Sequence, residues 1–289
     1  MKKILKISIS AFLAIILTIG CCIYAFAETY FVSNGFTYRE VDYGVSVHSW
    51  DYSTDTMKIP QLLNGSRVTE IDDFAFNKDA NVSKVDFSSA SYLRRIGKMC
   101  FLGSGLSGNL KLTSSINEIG VGAFQDCSGI TDIAFNANTN DIPNQCFMNC
   151  TNLSEIKFTN MLKTIGAYGF KNCSSLKEIT IPKTVTYISP DAFDGCDNIV
   201  LKCYLGSYAQ QFAIDNGLSY DLVDPKLGDV NLDGVININD VTYIQMHDVQ
   251  LITLGELEKK AADVNRDGEI TIRDATLIQM YLANIITEF

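Results

Sequence analysis

Four isoleucines, Ile119, Ile142, Ile165 and Ile188, stand 23 residues apart, and no other feature of the sequence limits the possible folds so strongly. Ile96 continues the interval backwards, and Ile71 sits two residues early. Five positions after each of these comes a phenylalanine: Phe76, Phe101, Phe124, Phe147, Phe170 and Phe193. Three positions beyond the last four lie Cys127, Cys150, Cys173 and Cys196, and apolar residues follow at Ile130, Leu153, Leu176 and Ile199. A fixed period of this length means a solenoid, whose coils bury apolar residues only against neighbouring coils. Within a coil, the alternation in LKEITIP (Leu176 to Pro182) predicts a short strand with Ile179 and Ile181 facing inward. The GAFQDC stretch predicts a helical or irregular turn on another side, with the phenylalanines stacked along the axis as a buried column.

The period also explains the cysteines. Nine in one chain would ordinarily suggest disulfides in an exported protein. Four of them share one repeat position, however, and Cys100 and Cys146 share another, filled elsewhere by Ala123, Gly169 and Ala192. Both columns read as small buried sites that a free thiol fills well, with a bridge between stacked cysteines as the alternative.

Export is expected from the first residues. Lys2, Lys3 and Lys6 precede an apolar run from Ile7 to about Ile19, and Ala25-Phe26-Ala27 has the small-x-small form of a signal-peptidase site. Cleavage after Ala27 would remove Cys21 and Cys22 and leave seven cysteines. The alternative is a retained membrane anchor, and a lipoprotein site at Cys21 is disfavoured by the Thr18-Ile19-Gly20 that precedes it. No other stretch is long and apolar enough to span a bilayer. A net charge of −10 argues against nucleic acid, which selects basic surfaces.

Most of that charge sits at the other end. Residues 228–289 hold 11 Asp and Glu against 4 Lys and Arg, a net −7. Here GDVNLDGVININD (Gly228 to Asp240) returns 34 residues later as ADVNRDGEITIRD, ending at Asp274. Loop positions 1, 3, 5, 9 and 12 are Asp229, Asn231, Asp233, Asn237 and Asp240 in the first copy. The second supplies Asp263, Asn265, Asp267, Thr271 and Asp274. Position 7 offers a backbone carbonyl, from Val235 and Glu269, and the glycine at position 6, Gly234 and Gly268, permits the sharp turn. Calcium is a hard cation that takes several oxygen ligands, so alternating short carboxylates and amides suit it. Two such loops in tandem predict two bound Ca²⁺. Both loops depart from an ordinary EF-hand, with Asp in place of Glu at position 12 and apolar Ile236 and Ile270 at position 8. Each is expected to run straight into a helix (DVTYIQM and DATLIQM) without a helix of its own before it, while LGELEKKAADV forms a connecting helix between the copies.

The repeat I-G-x-x-A-F-x-x-C-x-x-L-x-x-I-x-I-P, best seen from Ile165 to Pro182, resembles the BspA-type leucine-rich repeats of secreted and surface proteins. The tail resembles a type I dockerin. Together the resemblances imply an α/β leucine-rich-repeat solenoid with a strand-lined face, followed by a small all-α calcium-binding domain. The expected divisions are a signal peptide at 1–27, an N-terminal β cap at 28–70, repeats with a C-terminal cap at 71–223, a linker at 224–227 and the dockerin at 228–289.

The dockerin resemblance implies a cohesin module on a scaffoldin as partner, and thereby attachment of a secreted protein to a cellulosome or cell surface. The family's recognition positions fall here on Ile238, Asn239, Gln245 and Met246 in the first copy, and on Ile272, Arg273, Gln279 and Met280 in the second. Ile238 and Ile272 could instead be core residues. The near repetition of the two copies would let the module bind in two orientations. For the array the resemblance implies protein or surface binding without naming a ligand, since the motif positions are core positions. Its outward strand residues Asp86, Lys111, Ala134, Lys157 and Thr180 form no charge run.

Catalysis is not expected. Glycoside hydrolysis needs two positioned carboxylates in a cleft, and the 33 acidic residues offer candidates without a constellation. His48 and His247 have no zinc-ligand spacing, and no G-x-S-x-G elbow occurs. The alternatives are a carbohydrate-binding accessory protein, using Trp50 or Tyr187, and an unrecognised hydrolase on the solenoid.

Overall fold

A computed structural model describes residues 6–8, 29–52 and 54–289. The expected leader and its cleavage site lie outside the described residues, apart from the short strand Lys6–Ser8. Two compact units divide at Asp221 and Leu222.

The first unit opens as an antiparallel meander of Thr29–Ser33, Phe36–Val41 and Gly44–Trp50. Asn34 and Gly35 join the first two with φ of 51° and 83°, the two-residue hairpin geometry these residue types favour. The third strand then pairs in parallel with Ser66–Ile71, which passes the register to Arg95–Ile96 and Glu118–Ile119. Asp141–Ile142, Thr164–Ile165 and Tyr187–Ile188 form a further parallel sheet at the same repeat position. A second stack runs through Ser107–Leu112, Gly129–Phe135 and Glu155–Phe158. It resumes with Glu178–Thr180 beside Val200–Cys203, so the strand foreseen in LKEITIP is present.

The third side of each coil is an irregular turn, not a helix. Its cause is a pair of left-handed residues per coil, such as Gln145 and Asn149 at φ 58° and 61°, then Tyr168 and Asn172 at 57° and 60°. Each pair aims backbone amides at the next coil: Gln145 N donates to Ala167 O at 2.8 Å, Phe147 N to Gly169 O at 2.9 Å and Asn149 N to Lys171 O at 2.8 Å. Asn suits the second position because it tolerates the left-handed region and hydrogen-bonds locally. Here its side chain also bridges coils, Asn172 Nδ2 donating to Asn149 Oδ1 at 2.8 Å.

Inside lies the phenylalanine column. Ring centroids are 5.4 Å apart for Phe76 and Phe101 and 5.7 Å for Phe170 and Phe193, all stacked. Each ring is buried, and burial of one such side chain contributes roughly 2–3 kcal/mol. The seven described cysteines are free and buried, so the alternative of a bridge between stacked cysteines is not what forms. The thiols of the main column instead donate to the carbonyls of the preceding phenylalanines, Cys127 Sγ to Phe101 O at 3.0 Å and Cys150 Sγ to Phe124 O at 3.3 Å. A small apolar residue with one weak donor fits a core position that faces an acceptor.

Helix α1 (Tyr208–Asp215) closes the last coil. Ser207 caps it, accepting from Gln210 N, and it buries Ala209, Phe212 and Ala213. Terminal caps are needed because an uncovered coil exposes its apolar face.

The second unit is all-α: α2 (Ile238–Asp248), α3 (Glu256–Ala262) and α4 (Ile272–Leu282). Its core gathers Val230, Val241, Ile244, Leu254, Val264 and Ile278. Leu227, in the stretch expected to be a linker, packs against that core.

Two outcomes follow from this core. Phe147→Ala should cost about 3–5 kcal/mol in urea unfolding, because both neighbouring rings lose a stacking partner. Burial pushes the Cys127 thiol up from 9.0 to about 11, against a lowering by Ser104. The fold thus favours the neutral thiol, and its contribution is complete below pH 9 and lost as pH rises towards 11. Urea midpoints measured across that window should fall as thiolate absorbance rises.

Candidate metal centre

Each acidic loop is wired by its own side chains. In the first, Gly234 N donates to Asp229 Oδ2 at 2.9 Å and Val235 N to Asp233 Oδ1 at 2.8 Å. Asp240 clasps the two arms, accepting from Asn231 N at 3.1 Å and Asn237 N at 2.8 Å. The second loop repeats this pattern: Gly268 N to Asp263 Oδ2 at 3.0 Å, Glu269 N to Asp267 Oδ1 at 2.9 Å, and Asn265 N and Thr271 N to Asp274 at 3.3 and 3.0 Å. Gly234 and Gly268 have φ of 95° and 85°, a conformation that side chains disfavour.

Asp240 and Asp274 are fully buried. Each sits in the first turn of its helix, where a carboxylate is stabilised by the helix dipole. Their oxygens each keep a second lone pair beside the amide they accept from. The position-9 residues also have a structural role. Asn237 Oδ1 accepts from Asn239 N at 2.8 Å and Thr271 Oγ1 from Arg273 N at 3.2 Å, so both cap helices.

The residues fit a hard cation. Asp229 Oδ1 is buried and has no hydrogen-bond partner. Burial pushes the Asp229 carboxyl up; Gly234 N–H lowers it, and Asp240 and Asp233 raise it further. A divalent cation would supply the partner and the opposite charge that this carboxylate lacks. Among the described residues no three His, Cys, Asp or Glu side chains close on one point. The donor set is mixed instead: carboxylates of Asp229 and Asp233, the amide of Asn231 and the Val235 carbonyl, matched by Asp263, Asp267, Asn265 and the Glu269 carbonyl.

The positions expected to face a partner lie outside the core. Ile238 and Ile272 are 60% and 51% exposed, which overturns the reading of them as core residues. Asn239, Gln245, Arg273 and Gln279 are exposed and Met246 and Met280 half-buried, so the two copies present the same pattern. One expectation about the flanks is corrected. Helix α3 ends at Ala262, directly before Asp263, so the second loop does have a helix leading into it.

Elsewhere, Trp50 is only 6% exposed and packs edge-on against Tyr52, so it offers no platform for a sugar. Tyr187 is exposed. His48 lies 3.3 Å from Asp72, which also accepts from Ser46 and Arg39 in a network binding the cap to the first coil. His247 Nδ1 lies 3.3 Å from Ile252 O, near the end of α2.

Comparison with known proteins places both parts. Residues 69–200 match, in 6 copies, the family described as BspA type leucine rich repeat region, and residues 227–283 match the type I dockerin domain. No curated protein matches the chain. A leucine-rich cell surface protein from Faecalibacterium prausnitzii A2-165 is 18% identical, with a TM-score of 0.45 over 60% of this chain and 54% of its own. A leucine-rich repeat protein from Bacteroides ovatus ATCC 8483 is 18% identical, with a TM-score of 0.42 over 61% of this chain and 55% of its own. The chain spans about half the length of these two. No helix among the described residues is long and apolar enough to cross a membrane.

Because Asp274 both clasps the loop and completes a capping box with Thr271, Asp274→Ala should destabilise the second loop by about 1 kcal/mol or more. Amide exchange should rise at Asn265 and Thr271, whose N–H groups it accepts from.

Proposed function

A chain that joins a BspA-type leucine-rich repeat region to a type I dockerin domain is, we propose, a secreted, non-catalytic component of a cellulosome or related surface assembly. The dockerin binds a scaffoldin cohesin in a calcium-dependent way, and the repeat array presents a surface to a protein or surface ligand. The observation that carries the tether is the first loop, wired like the second but leaving a buried Asp229 oxygen without a partner, where Asp263 Oδ1 accepts from Asp267 N at 3.1 Å. Loop carboxylates that repel one another in a unit of net −7 are offset by two Ca²⁺, each held by one loop. The first is held by Asp229, Asn231, Asp233 and the Val235 carbonyl with Asp240, and the second by their counterparts from Asp263 to Asp274. Asn237 and Thr271 contribute by capping, or through water.

Calcium thereby fixes α2 and α4, whose exposed positions form the cohesin face. Ile238 with Asn239 and Ile272 with Arg273 lie at the starts of these helices, and Gln245-Met246 and Gln279-Met280 lie further along them. The matching exposure of both copies favours two interchangeable binding orientations.

Calorimetry of the full-length chain should show two calcium ions bound. Cohesin binding should disappear in chelator and return with calcium; persistence in chelator would refute the tether. Ile238→Asp and Ile272→Asp should each weaken cohesin binding only a few-fold, while the double variant abolishes it. Complete loss from either single variant would exclude the second orientation.

A further inference from the structure

The strand-lined side of the array is interrupted between two neighbouring coils. Gly129–Phe135 pairs with Glu155–Phe158, and Glu178–Thr180 pairs with Val200–Cys203. Among the described residues, no backbone hydrogen bond joins Glu155–Phe158 to Glu178–Thr180. The sequence supplies a cause. Two coils earlier, Asn136 N donates to Leu112 O at 3.2 Å. The same repeat position here is Pro182, which has no N–H to give to Phe158 O. Ile181 N points the other way, donating to Lys202 O at 3.0 Å. Amides alternate in direction along a strand, so those of Glu178 and Thr180 face the gap, opposite the strand that carries the Phe158 carbonyl.

A groove of about 560 Å³ lies along this gap, lined by both strands. Its charged side chains are paired: Lys157 Nζ lies 2.7 Å from Glu155 Oε1, and Glu178 Oε2 lies 3.7 Å from Lys202 Nζ. Nothing there selects a charged ligand. Carbonyls on one wall and N–H groups on the other call for a partner that both donates and accepts. A peptide backbone can do so, but a strand inserted here would hold the two walls roughly 9.5 Å apart, twice the usual strand spacing. Cα atoms across the gap come within 8 Å of each other. The gap is too wide for the ladder and too narrow for a strand.

A hydroxyl donates and accepts through a single atom, and so fits where a strand does not. The rim adds the exposed Asn160 amide and Thr180 hydroxyl, and the Tyr204 ring, which is 36% exposed. Paired charges, unpaired backbone groups and an accessible ring suit a neutral ligand rich in hydroxyls. We propose that this groove binds a neutral oligosaccharide, whose hydroxyls take the unpaired backbone groups while Tyr204 lies against a sugar ring. It specifies a ligand of the array and so rests on the reading of the array as a binding module.

The test is calorimetric titration of the full-length chain with neutral tetramers of glucose, xylose, mannose and galactose, and with tetraserine capped at both ends. At least one sugar should bind, with affinity constant to within about twofold as salt is raised, and the peptide should not. Tyr204→Ala should weaken binding roughly tenfold. Pro182→Thr restores the missing N–H, and should raise the thermal midpoint while abolishing binding, a combination that a folding defect cannot produce. Absence of binding by every sugar, equal binding of the peptide, or undiminished affinity in Tyr204→Ala would each overturn the site. A stabilised Pro182→Thr variant that still binds would do the same. Cohesin binding in the same preparations keeps this separate from the tether: with it intact, a failed sugar titration removes the groove alone and leaves the rest of the array available to a protein ligand.

Discussion

The stacking of each coil on the next is the interaction on which the first unit depends. A single coil of about 23 residues has one phenylalanine, one small residue and a few aliphatics, too little to form a core alone. Repetition at fixed spacing puts Phe124 on Phe101 and Phe147 on Phe124, so one apolar surface is buried against two neighbours. The register of the backbone follows from the same constraint. Once rings sit about 5.5 Å apart, parallel strands and irregular turns alike come within hydrogen-bonding reach of the coil beside them. That is why the turn can hold non-glycine residues at positive φ. The strain at Gln145 or Met99 is offset by amides that find carbonyls on the next coil.

The second unit solves a different problem. Its apolar core is small, and its loops place carboxylates close to one another. Asp240 and Asp274 are tolerated in full burial because each accepts two backbone hydrogen bonds from its own loop. Asp229 lacks that compensation on one oxygen. The loop is therefore organised by its hydrogen bonds but left electrostatically incomplete, which is the condition under which cation binding and folding free energy become coupled.

Much of this was legible in the residues. The phenylalanine column, the strand within LKEITIP and the paired loops all follow from spacing, because each rests on a period the chain repeats. What escaped was governed by tertiary contacts. Nothing in Met99 or Gln145 favours a left-handed backbone, yet inter-coil hydrogen bonds hold both there, at φ 49° and 58°. Trp50 has the composition of a sugar platform but lies at the seam between meander and solenoid, where burial wins.

The regular part of the array has little freedom left for recognition, since its repeated positions are all spent on the core. Specialised chemistry is then expected where the repeat is interrupted. The interval from Ile71 to Ile96 is two residues longer than the others, and Tyr92, Arg94 and Arg95 fall at its end. The hairpin carrying Tyr43 belongs to the antiparallel meander, which lies outside the repeat altogether. Where these two irregularities meet, Arg67, Arg94 and Arg95 share a groove with Asp42, Glu70 and Glu118. A surface repeated identically along a solenoid suits a ligand that is itself periodic, whereas a cluster found once, at the junction of cap and first coils, suits a short segment bound at a defined place.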